Sequence, residues 1–127
     1  MRREGRDGEL GSVSVVVAAI LLVTMVLALG AVDLARVLVA ASRAQTAADA
    51  GALAAAQSLA FPGEVEPAAT AADLVIRNGG LLRSCGCEPG TLEARIEVEM
   101  PVGRLFLSAD DLVVAARARA VVELPEP

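Results

Sequence analysis

The sequence predicts an α+β protein. One long N-terminal helix, membrane-spanning and then solvent-exposed, is expected to carry a second short helix and a small antiparallel β-hairpin or sheet. Residues 13–32 form an apolar run without a charge, and residues 33–60 continue as alanine-rich sequence without proline. Two segments nearer the C-terminus alternate between apolar and polar residues, which is the period of a half-buried strand.

The apolar run has the length of a membrane span. Its 20 residues, at about 1.5 Å of rise each, cover the roughly 30 Å hydrocarbon core of a bilayer. We predict a transmembrane helix over residues 12–33, preceded by a cytoplasmic tail over residues 1–11. The anchoring side chains are Val13, Val17, Leu21, Leu22, Val26 and Leu29.

Flanking charges favour a cytoplasmic N-terminus. Three arginines precede the run and two follow it, at Arg36 and Arg43, and positive charge is retained on the cytoplasmic side. The alternative is a secreted small binding domain released by signal-peptide cleavage near Gly30, where small residues offer a cleavage site. Signal peptides have shorter apolar cores than this run, so we favour a retained single-pass anchor in the cell membrane.

Residues 34–60 are expected to continue the helix outside the cytoplasm. High helix propensity and the absence of proline support this, and the Phe-Pro-Gly sequence at residues 61–63 stops the helix. Asp33 and Arg36, three residues apart, are expected to pair at the membrane surface. Small residues allow close packing, either by the protein's own domain or by other subunits. The helix-packing positions are Gly30, Ala47, Gly51, Ala54 and Ala55.

Residues 61–127 predict a small extracytoplasmic αβ domain. A short helix is expected over residues 64–77, and strands over residues 92–102 and 112–124. An antiparallel pair of these strands would set arginines against glutamates. The connection, residues 103–111, is expected to be a loop that packs some apolar surface.

Composition argues against catalysis and nucleic-acid binding. The formal net charge is −5, and the chain has no histidine and no lysine. The commonest general base and zinc ligand is therefore missing, as are basic clusters interleaved with aromatic residues. We expect no enzymatic activity, no cofactor, no metal, no nucleic-acid partner and no small-molecule substrate.

Cys85 and Cys87 form the one cluster with obvious reactivity. A disulfide between them is possible outside the cytoplasm, although it would close a very short loop, and a bond between chains is the alternative. A thiol-redox enzyme is a further hypothesis, which we rank below a structural or incidental role.

Three motifs lie along the long helix: Gly-Ser before the apolar run, D-x-x-R after it, and Q-x-A-A-D-A-x-A-L-A-A-A further on. Their family-like positions are Asp33, Arg36, Gln45 and Asp49. Over residues 11–60 this pattern resembles the TadE/TadG-like proteins of Tad (Flp) pilus-assembly loci, including the short actinobacterial type.

The resemblance implies a membrane-anchored, pseudopilin-like minor component of a pilus or secretion apparatus. Its partners would be the lipid bilayer and other subunits, contacted through helix packing. Type IV prepilins usually carry a glutamate within the apolar run, and residues 13–32 contain none. Processing as a major pilin is therefore not expected.

Overall fold

The computed structural model describes residues 7–61 and 63–123. Their architecture is α+β, as predicted, with two helices and one three-stranded antiparallel sheet. The elements are α1 (Asp7–Ala60), α2 (Pro67–Arg77), β1 (Leu81–Gly86), β2 (Glu93–Pro101) and β3 (Val113–Val121).

Helix α1 is a single unbroken helix of 54 residues, about 80 Å long at 1.5 Å per residue. It begins at Asp7, so the described part of the predicted tail, residues 7–11, is helical; residues 1–6 of that tail lie outside the described residues. The helix ends at Ala60, before the predicted stop sequence, whose Pro62 also lies outside the described residues. Its N-terminal part is exposed on all sides, whereas its C-terminal part carries the domain.

The sheet has the order β1-β2-β3 and packs on the C-terminal part of α1. Strands β2 and β3 pair from Glu93 opposite Val121 to Pro101 opposite Val113. The predicted alternation is confirmed for β2, whose even-numbered residues are buried from position 94 to position 100. Strand β3 ends before Leu124, which belongs to the predicted strand but lies outside the described residues.

Strand β1 has no counterpart in the sequence prediction. It pairs antiparallel with β2, and its register shifts between Leu82 and Ser84, which leaves Arg83 as a bulge. The bulge places Leu82 and Cys85, three residues apart, against the core. A bulge breaks the two-residue period of a strand, and this explains why alternation did not reveal β1.

The core is built from small side chains. Alanines of α1 are covered by α2 and the inner face of the sheet, and Val75 and Val98 are the largest fully buried side chains. Gly51 allows a close approach of α2, because a Cβ atom there would lie 2.8 Å from Cγ2 of Val75. An alanine-rich helix thus buries its surface by close approach of backbones, and large side chains are not needed.

Helix α2 begins three residues later than predicted. It begins at Pro67 rather than at residue 64, with Glu66 in an extended conformation as its N-cap. Proline fits the first helical position because its missing N–H has no intrahelical acceptor there. Asn78 ends the helix, and its backbone N–H donates to the carbonyls of the last turn.

Candidate functional site

The first feature of functional interest is the apolar surface of α1. Every residue from position 11 to position 28 is exposed, and Leu29 and Gly30 are half-buried. This part of α1 makes it the one helix, within the described residues, that is long and apolar enough to cross a membrane. A helix that is apolar around its whole circumference and uncovered by protein is suited to lipid rather than to water. Five of the six predicted anchor residues are exposed on this surface, and the sixth, Leu29, is half-buried at its end.

Asp33 lies at the end of the apolar surface and is the one buried charged residue in the described part of the chain, with 8% of its surface exposed. Its carboxylate accepts hydrogen bonds from the loop of residues 103–111, which we call the β2–β3 loop. The N–H of Phe106 donates to both Oδ1 and Oδ2, at 2.9 Å each, and the N–H of Leu107 donates to Oδ2 at 2.8 Å. A carboxylate that receives two backbone donors is a strong anchor for a loop.

Arg36 holds the same loop one turn further along α1. Its guanidinium donates to the backbone carbonyl of Arg104 and lies over the ring of Phe106, 4.7 Å from the ring centroid. The prediction that Asp33 and Arg36 pair with each other is wrong: within the described residues no ion pair joins them. Both side chains instead contact a segment about 70 positions away in sequence, whose backbone offers donors and acceptors.

The β2–β3 loop is closed at its base by the N–H of Val102, which donates to the carbonyl of Leu112 at 2.9 Å. Leu105 is half-buried, whereas Phe106 and Leu107 are each 57% exposed. The sequence predicted a loop with some apolar surface but not its docking on α1. One signal could have revealed it: a charged residue at the end of an apolar run needs hydrogen-bond partners.

The second pair of family-like residues, Gln45 and Asp49, lies about two and a half and three and a half turns beyond Arg36. Gln45 donates from Nε2 to Oδ1 of Asp49 at 2.9 Å, and also to the carbonyl of Arg117 in β3 at 3.3 Å. This places Gln45 at the contact between α1 and the sheet. Both side chains are exposed.

The predicted helix-packing residues lie on one side of α1. Ala47, Gly51, Ala54 and Ala55 are buried beneath α2 and the sheet of the same chain. Gly30 is separate from them: it lies beside the β2–β3 loop, where a Cβ atom would be 3.5 Å from Cδ1 of Leu107. The surface at residues 47–55 is therefore occupied by the protein's own domain, and contacts with other subunits would have to use other faces of α1.

Cys85 and Cys87 are joined by a disulfide at the end of β1, where both half-buried residues pack against the core. Neither has a free thiol. Among the described residues no group of three or more histidine, cysteine, aspartate or glutamate side chains could hold a metal ion.

The outer face of the sheet carries a lattice of ion pairs. Arg117 pairs with Glu97 at 3.0 Å, directly across the β2–β3 ladder, and Arg83 pairs with Glu99 at 2.8 Å. The predicted match of arginines with glutamates is thus confirmed. These pairs are largely solvated, so each contributes little to stability.

Glu93 pairs with two arginines, whereas Glu97 and Glu99 pair with one each. Arg119 binds both of its carboxylate oxygens, at 2.8 and 2.9 Å, and Arg95 approaches the same group. Hydrogen bonds from Arg119 and then from Arg95 hold the pKa of Glu93 below its ordinary value. This environment keeps the carboxylate ionised, which is the opposite of what a general acid needs.

A comparison with known protein families gives a match for the long helix α1. Residues 11–58 match the family model described as "Putative Flp pilus-assembly TadE/G-like". The match covers nearly all of α1, including Asp33, Arg36 and the residues beneath the sheet, and it excludes α2 and the three strands. No curated protein and no solved structure matches the chain. Over residues 11–58, which lie within helix α1, the chain is similar to the TadE/G-like family of Flp pilus assembly.

Proposed function

We propose that this protein is a membrane-anchored, pseudopilin-like minor component of a Tad/Flp-type pilus or secretion apparatus, with a structural rather than catalytic role. The N-terminus would be cytoplasmic and the αβ domain, residues 61–127, extracytoplasmic. The observation that carries the proposal is the uncovered apolar surface at residues 11–28, which lies within the family match. A structural role agrees with the contacts of Asp33 and Arg36, whose side chains bind backbone groups and hold the β2–β3 loop on α1.

Contacts with other subunits are proposed on the exposed faces of α1. Just beyond the predicted span, Leu34 and Leu38 are each 61% exposed. They are four residues apart and therefore lie on one helix face. Within the span, Ala18, Ala19, Ala28 and Ala31 offer small positions for helix contact. These exposed faces, and not the covered surface at residues 47–55, are where we place the partner helices.

The anchor is tested by a matched pair of arginine substitutions. Leu22 and Leu53 are both exposed leucines of α1, at 66% and 55%, but only Leu22 lies in the proposed span. An arginine near the centre of a membrane helix costs about 2.5–3.5 kcal/mol of insertion free energy. We expect Leu22→Arg to lower the share of the chain found in the carbonate-washed membrane fraction and Leu53→Arg to leave that share unchanged.

Equal fractionation of the two variants would contradict the proposal, as would a wild-type chain found in the soluble fraction. N-terminal sequencing distinguishes the alternative, because a mature chain beginning near Ala31 in the medium would indicate a released domain. Protease accessibility in intact cells and in spheroplasts tests the orientation. An extracytoplasmic domain is expected to be digested in spheroplasts without lysis, and protection of that domain would refute the proposed orientation.

A further inference from the structure

We propose that the β2–β3 loop enters the lipid leaflet next to the αβ domain, so that the domain rests on the bilayer surface rather than standing clear of it. Leu107 would lie at the edge of the hydrocarbon and Phe106 among the headgroups. The inference rests on the proposed span of α1, and it adds a second, separate contact with lipid.

The loop is attached to α1 at the end of the span. Asp33 binds the N–H groups of Phe106 and Leu107, and it directly follows the apolar run. The Leu107 side chain extends back along α1 toward Gly30. Gly30 lies two residues before the end of the run, or about 3 Å inside it at 1.5 Å per residue. Leu107 is therefore at the depth of the proposed hydrocarbon edge.

The tip of the loop continues an apolar surface that already exists on the helix. Phe106 and Leu107 are exposed although both are apolar, and Leu27 and Leu34 on α1 are exposed on either side of Gly30. In water this combined patch would remain uncovered. In a bilayer the same patch would be covered by acyl chains that surround the span. Aromatic side chains are enriched at the membrane interface, the level assigned here to Phe106.

Backbone polar groups at the tip of the loop have hydrogen-bond partners within the protein, as the edge of a bilayer requires. Polar groups near the hydrocarbon must be satisfied by the protein, because little water is available there. The N–H groups of Phe106 and Leu107 donate to Asp33, and the carbonyl of Arg104 accepts from Arg36. The D-x-x-R motif thus supplies side-chain partners that a loop in water would not need.

Positive charge on the α1 side of the loop favours phospholipid as the occupant, and Asp110 and Asp111 lie toward the β3 end of the same loop. Arg36, Arg43 and Arg104 line one groove between α1 and the end of β2, beside the β2–β3 loop. Guanidinium groups bind phosphate oxygens well, and arginine extends its charge toward headgroups while its apolar stem remains lower. An apolar tip beside Arg36 and Arg104 matches a phospholipid surface, with acyl chains below and phosphates above. Arg43 lies about 16 Å beyond the end of the apolar run, farther than the headgroup layer.

The test uses tryptophan fluorescence, because the chain contains no tryptophan and no tyrosine. Single tryptophans at Leu107 and Phe106 report the loop, Leu22→Trp reports the span, and Phe61→Trp is the control. Phe61 is the other phenylalanine of the chain and is 74% exposed, about 45 Å along α1 from Gly30 at 1.5 Å per residue. The full chain is reconstituted in phosphatidylcholine and phosphatidylglycerol vesicles, with and without bromine on the acyl chains.

We expect bromine to quench Leu22→Trp and Leu107→Trp strongly, Phe106→Trp less, and Phe61→Trp hardly at all. Bromine near the ester end of the acyl chain should quench Leu107→Trp more than bromine near the methyl end. If Leu22→Trp is quenched while both loop variants resemble Phe61→Trp, the loop is in water, and this inference is wrong while the anchor stands. Absence of quenching at Leu22→Trp would overturn the anchor as well. Equal quenching of Phe61→Trp and the loop variants would refute local insertion of the loop.

Discussion

Replacing Asp33 by asparagine should release the β2–β3 loop without unfolding the protein. Asp33 accepts from two backbone N–H groups, with three contacts of 2.8–2.9 Å. Asparagine retains one acceptor oxygen, but its amide nitrogen would face a donor, so at least one N–H loses its partner. The loss is local because, apart from its base at residues 102 and 112, the loop is held by Asp33 and Arg36.

The magnitude follows from the type of hydrogen bond. A hydrogen bond to a charged group contributes about 1.5–3 kcal/mol, and a buried donor left unpaired costs about 1–3 kcal/mol. Removing the buried charge of Asp33 relieves part of its desolvation, which offsets some of this loss. We therefore expect loop docking to weaken by about 1.5–3 kcal/mol, which corresponds to roughly a ten- to 150-fold rise in the open fraction.

Amide hydrogen exchange of the full chain in nanodiscs measures this directly, because exchange of the Phe106 and Leu107 amides requires the loop to open. Asp49→Asn is the matched control: Asp49 is on the same helix, and among the described residues its carboxylate accepts from the Gln45 side chain and not from the β2–β3 loop. We expect faster exchange of the two loop amides in Asp33→Asn alone, with β2 and β3 unchanged. Unchanged protection at residues 106 and 107, or the same acceleration in Asp49→Asn, would refute the assigned role of Asp33.

Three further predictions concern the stability of the domain. Gly51→Ala should lower the free energy of unfolding by up to about 2 kcal/mol, since overpacking costs about 1–3 kcal/mol and alanine returns about 1 kcal/mol of helix propensity. Gly30→Ala should leave the free energy of unfolding unchanged or raise it, because the new Cβ atom would be 3.5 Å from its nearest neighbour, Cδ1 of Leu107. Circular dichroism melts of the detergent-solubilised chain compare these two variants. Because the pKa of Glu93 is lowered by folding, its ion pairs stabilise the protein above the unfolded-state pKa, and this stability disappears as pH falls through the folded-state pKa. Glu93→Gln should therefore lose less thermal stability than wild type when the pH falls from the unfolded-state pKa of Glu93 to its folded-state pKa. Reducing the disulfide between Cys85 and Cys87 should lower stability by about 1–2 kcal/mol, as for a very short loop, without releasing the chain from membranes.

Each of these has a control within the chain. Gly51→Ala combined with Val75→Ala should be less than additive, because the second change removes the Cγ2 atom that is contacted, and full additivity would contradict the packing argument. Glu88→Gln changes an exposed glutamate after β1 and should keep the acid response of wild type. The double Cys→Ser variant at positions 85 and 87 should not respond to reductant. If reductant lowered the stability of this variant, the reductant would be acting on something other than the disulfide.

Local patterns predicted most of the elements. The helix over α1 follows from alanine and leucine content without proline, and β2 and β3 follow from alternation. Strand β1 could not be predicted in this way because the bulge at Arg83 interrupts its period and a glycine ends it. The start of α2 was misplaced by three residues, since Pro67 occupies the first helical position rather than a later position in the first turn.

The candidate site was predicted in part. The resemblance pointed to Asp33 and Arg36, and the family match includes both. Their partners were missed because hydrogen bonds to backbone groups leave no side-chain signature in the distant segment. The role of residues 47–55 was left open between the protein's own domain and other subunits, because a small-residue surface accepts any close neighbour. In the structure the same chain covers these residues.

The sequence by itself determined the long helix, its apolar first half, the two alternating strands and the family pattern along α1. These properties depend on residues near one another in the chain, so their period and composition are visible directly. Only the tertiary structure decided that α2 and the sheet cover the alanine surface, and that the β2–β3 loop returns to the end of the apolar run to bind Asp33 and Arg36. The loop reaches them because antiparallel pairing of β2 and β3 places their connection beside α1, and such long-range closure depends on the packing of the whole domain.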